Sequence, residues 1–304
     1  MFLGRSSMLL RALVWSAAFL FALPAWSAEA DSGKGQTVEQ FIGSLHFQTG
    51  TVAVPQAHAT LKLSDDFRFL DAHDAQRVLE ELWGNPPDSE VLGMLVPASV
   101  PLNDPKKSWA VVVTYSSDGY VSDAEAAKID YAKMLGDMQS ETREANAERK
   151  KRGYPEVQLL GWAEPPHYDA AANKLYWAKE LGFSDAKENT LNYDIRVLGR
   201  GGYLSLNAVA GMSQLGMVKT EMPKVLAMTE FDPGQRYTDF NASTDKIAAY
   251  GIGALVAGTL AAKAGLFAKL FAVLLAFKKV LIAGVIALFA AIRRLFGRKS
   301  DKSG

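Results

Sequence analysis

The sequence predicts an α+β fold, a mostly antiparallel sheet covered by helices, followed by a C-terminal transmembrane helical segment. Residues 191–198 alternate between apolar and polar side chains, as a strand with one buried face does. The predicted strands outnumber the predicted helices and are joined by short connections, which antiparallel pairing permits. Residues 247–292 are almost all apolar or small, which indicates a membrane segment.

Three helices of the main domain, predicted over residues 37–240, are marked by their N-terminal residues. A capping-box pattern at Thr37 opens a short helix, and Asp71 begins a strongly amphipathic one. A second capping-box pattern at Ser122 predicts a long helix over residues 123–152. Its second half is polar, so we expect either a solvated face or a surface that docks a partner.

Apolar runs and alternation predict the strands at 50–54, 59–63, 91–97, 109–115, 175–181, 191–198, 203–209 and 236–240. The glycine-rich turn at 199–202 joins two of them, most simply as an antiparallel hairpin. A helix over 213–228 contains Pro223, which should kink it or end its first half. Residues 241–246 are predicted to be a linker to the membrane segment.

The N-terminus has the three parts of a secretory signal peptide, predicted over residues 1–28. Arg5 and Arg11 form the charged region, Ala12–Leu23 is apolar, and small residues suited to cleavage follow. An uncleaved anchor is the alternative, although an apolar run of this length is short for a span. We therefore expect export, with residues 29–36 as a linker to the main domain.

The C-terminus is predicted to be a membrane segment of one or two helices at 247–296, followed by a basic cytoplasmic tail at 297–304. As a single helix, residues 247–292 would be about 69 Å long, against a hydrocarbon core of roughly 30 Å. A hairpin of two spans is one solution. A single span near 247–268 is favoured, because it keeps the C-terminal arginines in the cytoplasm.

Charge is distributed unevenly along the chain, although the total is zero. Residues 29–246 hold 22 basic and 32 acidic residues, whereas both ends are basic. This pattern fits an acidic domain in the periplasm held at the inner membrane, and it disfavours a nucleic-acid partner. The chain has no cysteine, which excludes disulfides, thiolate nucleophiles and cysteine-ligated metals.

Small residues recur in the first part of the predicted membrane segment, where Gly253 precedes Ala257 and Ala254 precedes Gly258 by four positions. Such spacing lets membrane helices approach closely, which would allow a homo-oligomer. Small residues that simply face lipid are the alternative. The lipid bilayer is a predicted partner in both cases.

Several motifs resemble one bacterial family. They are Gly161–Asp169, Leu175–Ala178, Tyr193–Arg200, Leu82–Pro87, Asp118–Asp123 and Arg143–Pro155. In this order and number they are similar to membrane-anchored proteins named for domain of unknown function 2167, over roughly residues 37–270. The resemblance implies an exported domain tethered by a C-terminal membrane segment. It implies no activity, because none is established for the family.

Glu164, His167 and Asp169 are the candidate catalytic residues. A histidine flanked by carboxylates can act as a general base or bind a metal. The spacing is unfavourable, because on a strand residues 164 and 167 point to opposite faces and Pro165-Pro166 keeps the segment extended. No nucleophile elbow, phosphate loop or His-Glu-x-x-His motif accompanies them.

The candidate binding residues are Trp162, Tyr168, Trp177, Asp194, Arg196 and Arg200. Asp194 and Arg196 lie two positions apart on the polar side of a strand, where they can form an ion pair. A solvated sheet face is the simpler interpretation of that side. Arg200, in the turn, is placed to bind an anion.

Aromatic residues are dense in the same part of the chain, at Trp162, Tyr176, Trp177, Tyr193 and Tyr203. A buried aromatic core explains them most simply. An aromatic groove for a peptide, glycan or lipid is the alternative.

The sequence predicts neither a metal site nor a cofactor. A metal bound by His46, His58 and His73 would require three separate segments to converge. The favoured function is a non-catalytic binding or interaction module with a protein, peptide or envelope partner. The alternative is a membrane-tethered hydrolase or metal-dependent enzyme that uses Glu164 and its two neighbours.

Overall fold

The computed structural model describes residues 37–257, except 105–106. The predicted signal peptide, the linker at 29–36 and the chain from residue 258 onwards lie outside the described residues. The chain divides into two units, Met1–Thr259 and Leu260–Gly304, and every element described below belongs to the first.

Three sheets lie within the described residues. Their strands are β1 (Thr51–Val54), β2 (Ala59–Lys62), β3 (Phe67–Asp71), β4 (Val91–Pro97), β5 (Ala110–Ser116), β6 (Tyr120–Ser122), β7 (Val157–Asp169), β8 (Lys174–Phe183), β9 (Thr190–Leu198), β10 (Tyr203–Gly211), β11 (Thr229–Phe231) and β12 (Ile247–Gly251). The large sheet has the order β3-β4-β5-β10-β9-β8-β7, and all its described pairs are antiparallel. The small sheet is β1-β2-β11, and β12 pairs with β6 in parallel.

The α-helices of the described residues are α1 (Val38–Gly43), α2 (Ala72–Arg77), α3 (Tyr131–Lys151), α4 (Leu215–Met228) and α5 (Gly253–Ala257). Helix α2 continues as a π-helical turn over Val78–Leu82. Short 3-10 turns occupy Pro55–Ala57, Ala126–Lys128, Met212–Gln214 and Tyr237–Asp239. The prediction of a mostly antiparallel sheet accompanied by helices is confirmed.

The predicted caps of the first two helices are present. Thr37 accepts a hydrogen bond from the backbone N–H of Gln40, whose side chain accepts one in return from the backbone of Thr37. Asp71 caps α2 by accepting from the N–H of Asp74 at 3.1 Å. Local sequence therefore decides where these helices begin.

The long helix begins at Tyr131, so the predicted start at residue 123 is wrong. The carboxylate of Asp130 accepts from the N–H groups of Ala132 and Lys133 at 3.1 and 2.9 Å, which makes it the cap. Ser122 instead ends β6. A capping pattern is weak evidence for the start of a helix when the proposed cap residue itself belongs to a strand.

The polar second half of α3 packs in part against the edge of the large sheet. The side-chain amide of Asn146 donates to the carbonyl of Val157 at 2.8 Å and accepts from its N–H at 2.9 Å. Gln139 donates to the carbonyl of Leu159 at 3.2 Å. These bonds satisfy backbone groups of the edge strand β7, which would otherwise be open to pairing with another chain.

Two further predictions on the C-terminal half concern Pro223 and residues 236–240, and the second is wrong. Helix α4 continues through Pro223, so the proline does not end the first half of the helix; the surrounding Val218, Met222 and Val225 are buried and hold it against the sheet. The predicted strand at 236–240 is a 3-10 turn, in which Tyr237 donates to the carbonyl of Val121 at 3.0 Å.

The predicted boundary between domain and membrane segment also needs correction. Residues 247–251 form β12, and Ala248 is buried in the same apolar cluster as Ile252 and Leu255. Tyr250 donates a hydrogen bond to Asp118. The folded domain therefore extends through at least residue 257, since pairing with β6 and burial of these side chains outweigh the uniform apolar composition. No helix within 37–257, leaving out 105–106, is long and apolar enough to cross a membrane.

Both faces of the large sheet are covered. On one face, α4 and the small sheet bury the side chains of Tyr193, Ile195 and Leu206. On the other face, α1 and α2 cover the β3-β4-β5 half. Helices α3 and α5 cover the opposite half, around Leu175 and Trp177. Burying a large apolar side chain contributes about 1.5–3 kcal/mol, so these layers provide most of the favourable free energy of folding.

Candidate functional site

The candidate catalytic residues of β7 are not brought together. Among the described residues, no hydrogen bond links any two of Glu164, His167 and Asp169. Glu164 forms an ion pair with Lys219 of α4, with Nζ and Oε1 separated by 3.1 Å. The β-bulges of β7 around residue 164 break the regular alternation that would place side chains by spacing alone.

The other two members of this set have local roles. His167 is exposed and stacks on Tyr176, with ring centroids 5.0 Å apart and an angle of 11° between the planes. The carboxylate of Asp169 accepts from the N–H groups of Ala171 and Ala172, both at 3.0 Å, and so fixes the turn into β8. The geometry therefore provides no base–acid pair at these residues.

Three of the candidate binding residues hold neighbouring elements together. Trp162 donates to the carbonyl of Tyr131 at 3.3 Å, and the hydroxyl of Tyr168 donates to Asp123 at 2.8 Å. Arg200 binds Asp245 through Nε and Nη2 at 2.7 and 2.8 Å. This bidentate pair occupies the guanidinium that was predicted to bind an anion.

The aromatic residues divide between the two faces of the large sheet. Tyr176 and Tyr193 pack on the face covered by α4. Trp162, Trp177 and Tyr203 pack on the opposite face. The predicted aromatic groove would need them on one surface, so a buried aromatic core on each face is the correct description.

The remaining three candidates, Trp177, Asp194 and Arg196, do converge. They lie on one face because Trp177 is the cross-strand partner of Asp194 and Arg196 follows two positions later. The side chain of Asp194 is 3% exposed. The polar side of β9 is therefore buried, and its interpretation as a solvated face is wrong.

Asp194 is the centre of a buried polar group. Lys179 of β8 places Nζ 3.0 Å from Oδ2, and Arg196 places Nη1 3.2 Å from Oδ1. The amide of Asn207, directly opposite on β10, donates to Oδ1 at 3.0 Å. We call Trp177, Lys179, Asp194, Arg196 and Asn207 the Asp194 cluster.

The cations of the Asp194 cluster differ in their access to solvent. The side chain of Lys179 is 4% exposed and that of Arg196 is 13% exposed. The guanidinium carbon of Arg196 lies 4.7 Å from the ring centroid of Trp177 and 6.0 Å from that of Tyr203. A guanidinium over aromatic rings is held in a fixed plane and stabilised by their electron density.

The charges of the Asp194 cluster do not cancel. Two cationic side chains face one carboxylate, and among the described residues neither cation has a second acidic partner. Buried Nε1 of Trp177 and buried Oδ1 of Asn207 also lack hydrogen-bond partners within the described part of the chain. Removing charges and polar atoms from water is costly unless they are paired. The groups of the cluster therefore do not balance one another's charges or complete one another's hydrogen bonds.

Sequence reasoning missed Lys179 and Asn207. Lys179 lies in an otherwise largely apolar strand, and a cation at such a position is the one signal that could have drawn attention to it. Asn207 gives no local signal, because its role depends on the register that sets it opposite Asp194.

A second buried carboxylate, Asp74, lies at the start of α2. Its Oδ2 accepts from the backbone N–H of His46 at 2.7 Å and lies 3.0 Å from the Nδ1 of the same residue. Its Oδ1 lies 3.1 Å from Nδ1 of His73 and accepts from Nη1 of Arg77 at 3.2 Å. Burial raises the pKa of Asp74, but these hydrogen bonds outweigh it and lower the pKa to about 2.

Two of the three histidines considered for a metal therefore reach one carboxylate. His58 lies elsewhere, 6.3 Å from Tyr115 between ring centroids. In the described residues, ligand atoms of Asp71, His73 and Asp74 come within 4.8 Å of one another. Arg77 already supplies a cation to the Asp74 carboxylate, so this group is explained as a structural junction.

Comparison with known proteins identifies a family. The family model described as "Protein of unknown function (DUF2167)" matches residues 46–289. A search of curated proteins finds no match.

Similar solved structures include cyanobacterial PsbP from Synechocystis sp. PCC 6803, at 10% identity and a TM-score of 0.33, covering 62% of this chain and 95% of that one. LpqN of Mycobacterium tuberculosis, involved in cell envelope biogenesis, has 17% identity and a TM-score of 0.30, covering 65% and 98%. The Ran-binding protein Mog1p of Saccharomyces cerevisiae has 10% identity and a TM-score of 0.29, covering 65% and 100%. At these low values, none of the three supports a shared activity or partner.

Proposed function

The chain belongs to the DUF2167 family, and we propose that its domain is a non-catalytic binding module, exported and tethered to the inner membrane. Recognition takes place at the Asp194 cluster. The observation that carries this proposal is the excess positive charge of that cluster, in which buried Lys179 and largely buried Arg196 share a single carboxylate.

A buried charge that its neighbours do not fully balance lowers stability, so a fold that retains one gains something other than stability. A bound anionic group would complete the cluster and remove that cost.

Export and tethering are supported by the sequence at both ends. A charged region and an apolar run precede the domain, and basic residues follow an apolar segment after it. The family match runs to residue 289, so it includes most of that apolar segment. The topology can be tested by adding protease to spheroplasts that contain the protein with a C-terminal tag. We expect the protease to cleave the described domain and to leave the tag intact.

The alternative of a hydrolase or metal-dependent enzyme finds no geometric support at Glu164, His167 and Asp169, because each has a separate partner. A substitution of His167 by alanine is therefore not the informative experiment. The informative variant is Arg196→Met, which leaves Lys179 and Asp194 as a neutral pair and replaces the guanidinium over the Trp177 ring by an unbranched apolar side chain.

Native mass spectrometry of the full chain, extracted in mild detergent with and without crosslinking, tests the proposal. We expect a bound species on the wild type and on the control Lys133→Met, because Lys133 forms an exposed ion pair with Asp137 on α3 and is not a member of the cluster. Arg196→Met should lose that species while keeping equal or greater stability. Retention of the species by Arg196→Met would refute recognition at the Asp194 cluster.

A further inference from the structure

We infer that the Asp194 cluster binds a carboxylate, held in a bidentate pair by the free edge of the Arg196 guanidinium. The inference rests on the proposed function and adds the chemical class of the ligand. The carboxylate belongs either to a small organic acid or to a peptide, and the experiment below separates these two sources.

The geometry of Arg196 identifies the free edge. Its Nη1 is occupied, since it donates to Oδ1 of Asp194 and to the carbonyl of Ile195, both at 3.2 Å. Nε and Nη2 have no hydrogen-bond partner among the described residues. These two groups form one planar edge of the guanidinium, and that edge matches the two oxygens of a carboxylate.

The net charge of the Asp194 cluster predicts the charge of the ligand. Lys179 and Arg196 contribute two positive charges, and Asp194 contributes one negative charge. One further negative charge neutralises the cluster, which a carboxylate provides. A phosphate dianion would leave a buried negative excess, so the charge balance favours the carboxylate over phosphate.

The surroundings of Arg196 favour binding without rearrangement. The rings of Trp177 and Tyr203 flank the guanidinium at 4.7 and 6.0 Å and hold its plane. Asp194 fixes the opposite edge, so little side-chain entropy is lost when a ligand arrives. The side chain retains 13% exposure, which gives the ligand its route of approach.

Neighbouring polar atoms suggest a ligand that is more than a bare carboxylate. Nε1 of Trp177, which is 1% exposed, lacks an acceptor within the described residues. Oδ1 of Asn207, which is 5% exposed, lacks a donor there. A hydroxyl group beside the carboxylate can both accept and donate, as in a hydroxy acid, whereas a peptide terminus offers its carbonyl as the acceptor and its amide N–H as the donor.

Isothermal titration of the full chain in detergent tests this inference. The probes are acetate, lactate, citrate, a tetrapeptide with a free C-terminal carboxylate, the same peptide amidated, and inorganic phosphate. We expect saturable binding of at least one carboxylate below about 10 mM and at least tenfold weaker binding of phosphate. Binding by the free peptide and not by its amide assigns the carboxylate to a peptide terminus, whereas binding by the small acids alone assigns it to a metabolite.

Three variants test whether carboxylate binding depends on Arg196. Arg196→Met should weaken carboxylate binding at least tenfold, and Arg196→Lys, which keeps the charge but lacks the planar edge, should do the same. Lys133→Met should bind as the wild type does. Arg196→Lys keeps the inference testable if Arg196→Met folds poorly, and a urea midpoint for each variant confirms folding.

Three results would overturn the inference. They are equal binding by wild type and Arg196→Lys, tighter binding of phosphate than of any carboxylate, and no saturable binding of any carboxylate. If native mass spectrometry shows an Arg196-dependent species while no carboxylate binds, the ligand class is wrong and the binding module stands. If no Arg196-dependent species is found either, both proposals fail.

Discussion

Within residues 37–257, leaving out 105–106, two buried carboxylates are in opposite situations, and the contrast separates a structural network from a candidate recognition site. Asp74 is 2% exposed, and its partners His46, His73 and Arg77 are 85%, 79% and 21% exposed. Asp194 is 3% exposed, and its cationic partners Lys179 and Arg196 are 4% and 13% exposed. Water therefore reaches the partners of Asp74 more readily than those of Asp194, whose charges must be balanced by the protein or a ligand.

The hydrogen bonds confirm this difference. Both oxygens of Asp74 take part in hydrogen bonds with backbone or side-chain groups, and the bonds with His46 join the segment that follows α1 to α2. The Asp194 cluster keeps an excess charge and unpaired buried atoms within the described residues. The burial of a carboxylate therefore indicates nothing about function unless the charges of its partners and their exposure to solvent are also known.

The largest expected effect is at Asp194. Replacing it by alanine leaves Lys179 and Arg196 buried without an acidic partner, so we expect a loss of about 3–5 kcal/mol in the free energy of unfolding. Urea denaturation at neutral pH measures this loss. The matched control is the triple variant Lys179→Met, Asp194→Leu, Arg196→Met, which should be as stable as the wild type or more stable. A loss below about 1 kcal/mol for Asp194→Ala would mean that the cluster is solvated, and the contrast would disappear.

A smaller effect is expected at Asp74, with a defined pH dependence. Its pKa in the folded state, about 2, is below the ordinary value of 3.8. The ionised group therefore contributes stability that is fully present above about pH 4 and is lost as the pH falls toward 2, in total about 2 kcal/mol. Urea midpoints measured from pH 5 to about pH 2 should fall less steeply for Asp74→Asn than for the wild type. If the urea midpoints of the two proteins fell in parallel with pH, the hydrogen bonds of Asp74 would not depend on its negative charge.

The smallest effect is expected at the exposed histidines. His46→Gln and His73→Ala should each change the free energy of unfolding by less than about 1 kcal/mol at pH 7, because polar contacts of such exposed side chains contribute little. The backbone N–H of His46 still donates to Asp74 in the variant. If either substitution lowers the free energy of unfolding as much as Asp74→Asn does, the imidazoles are essential to the hydrogen bonds of Asp74. The contrast in stability between the Asp74 and Asp194 networks would then be smaller.

Part of the fold and part of the Asp194 cluster followed from the sequence. The alternation over 191–198 predicted both faces of β9, and the spacing of Asp194 and Arg196 allowed the ion pair that the structure shows at 3.2 Å, although a solvated face was the favoured interpretation. The turn at 199–202 forms the predicted hairpin, in which Gly202 passes so close to the carbonyl of Ser116 that a Cβ would overlap it. These features depend on neighbours only a few positions away.

Other features could not be predicted, because they depend on segments that are distant in sequence. The apolar composition of residues 247–257 fits a membrane helix equally well, and only pairing with β6 shows that they belong to the folded domain. The three residues of the proposed catalytic set share a short segment, yet the bulges of β7 send them to different partners.

The amino-acid sequence by itself determined the strand alternation, the caps at Thr37 and Asp71, and the hairpin, since backbone geometry fixes side-chain direction within a few residues. The tertiary structure alone decided that the polar face of β9 is buried and that Lys179 and Asn207 meet Asp194 there. Both contacts depend on the register of antiparallel neighbours, and a shift of one residue would turn each side chain to the opposite face. Register is set by the packing of the whole sheet, which local sequence does not encode.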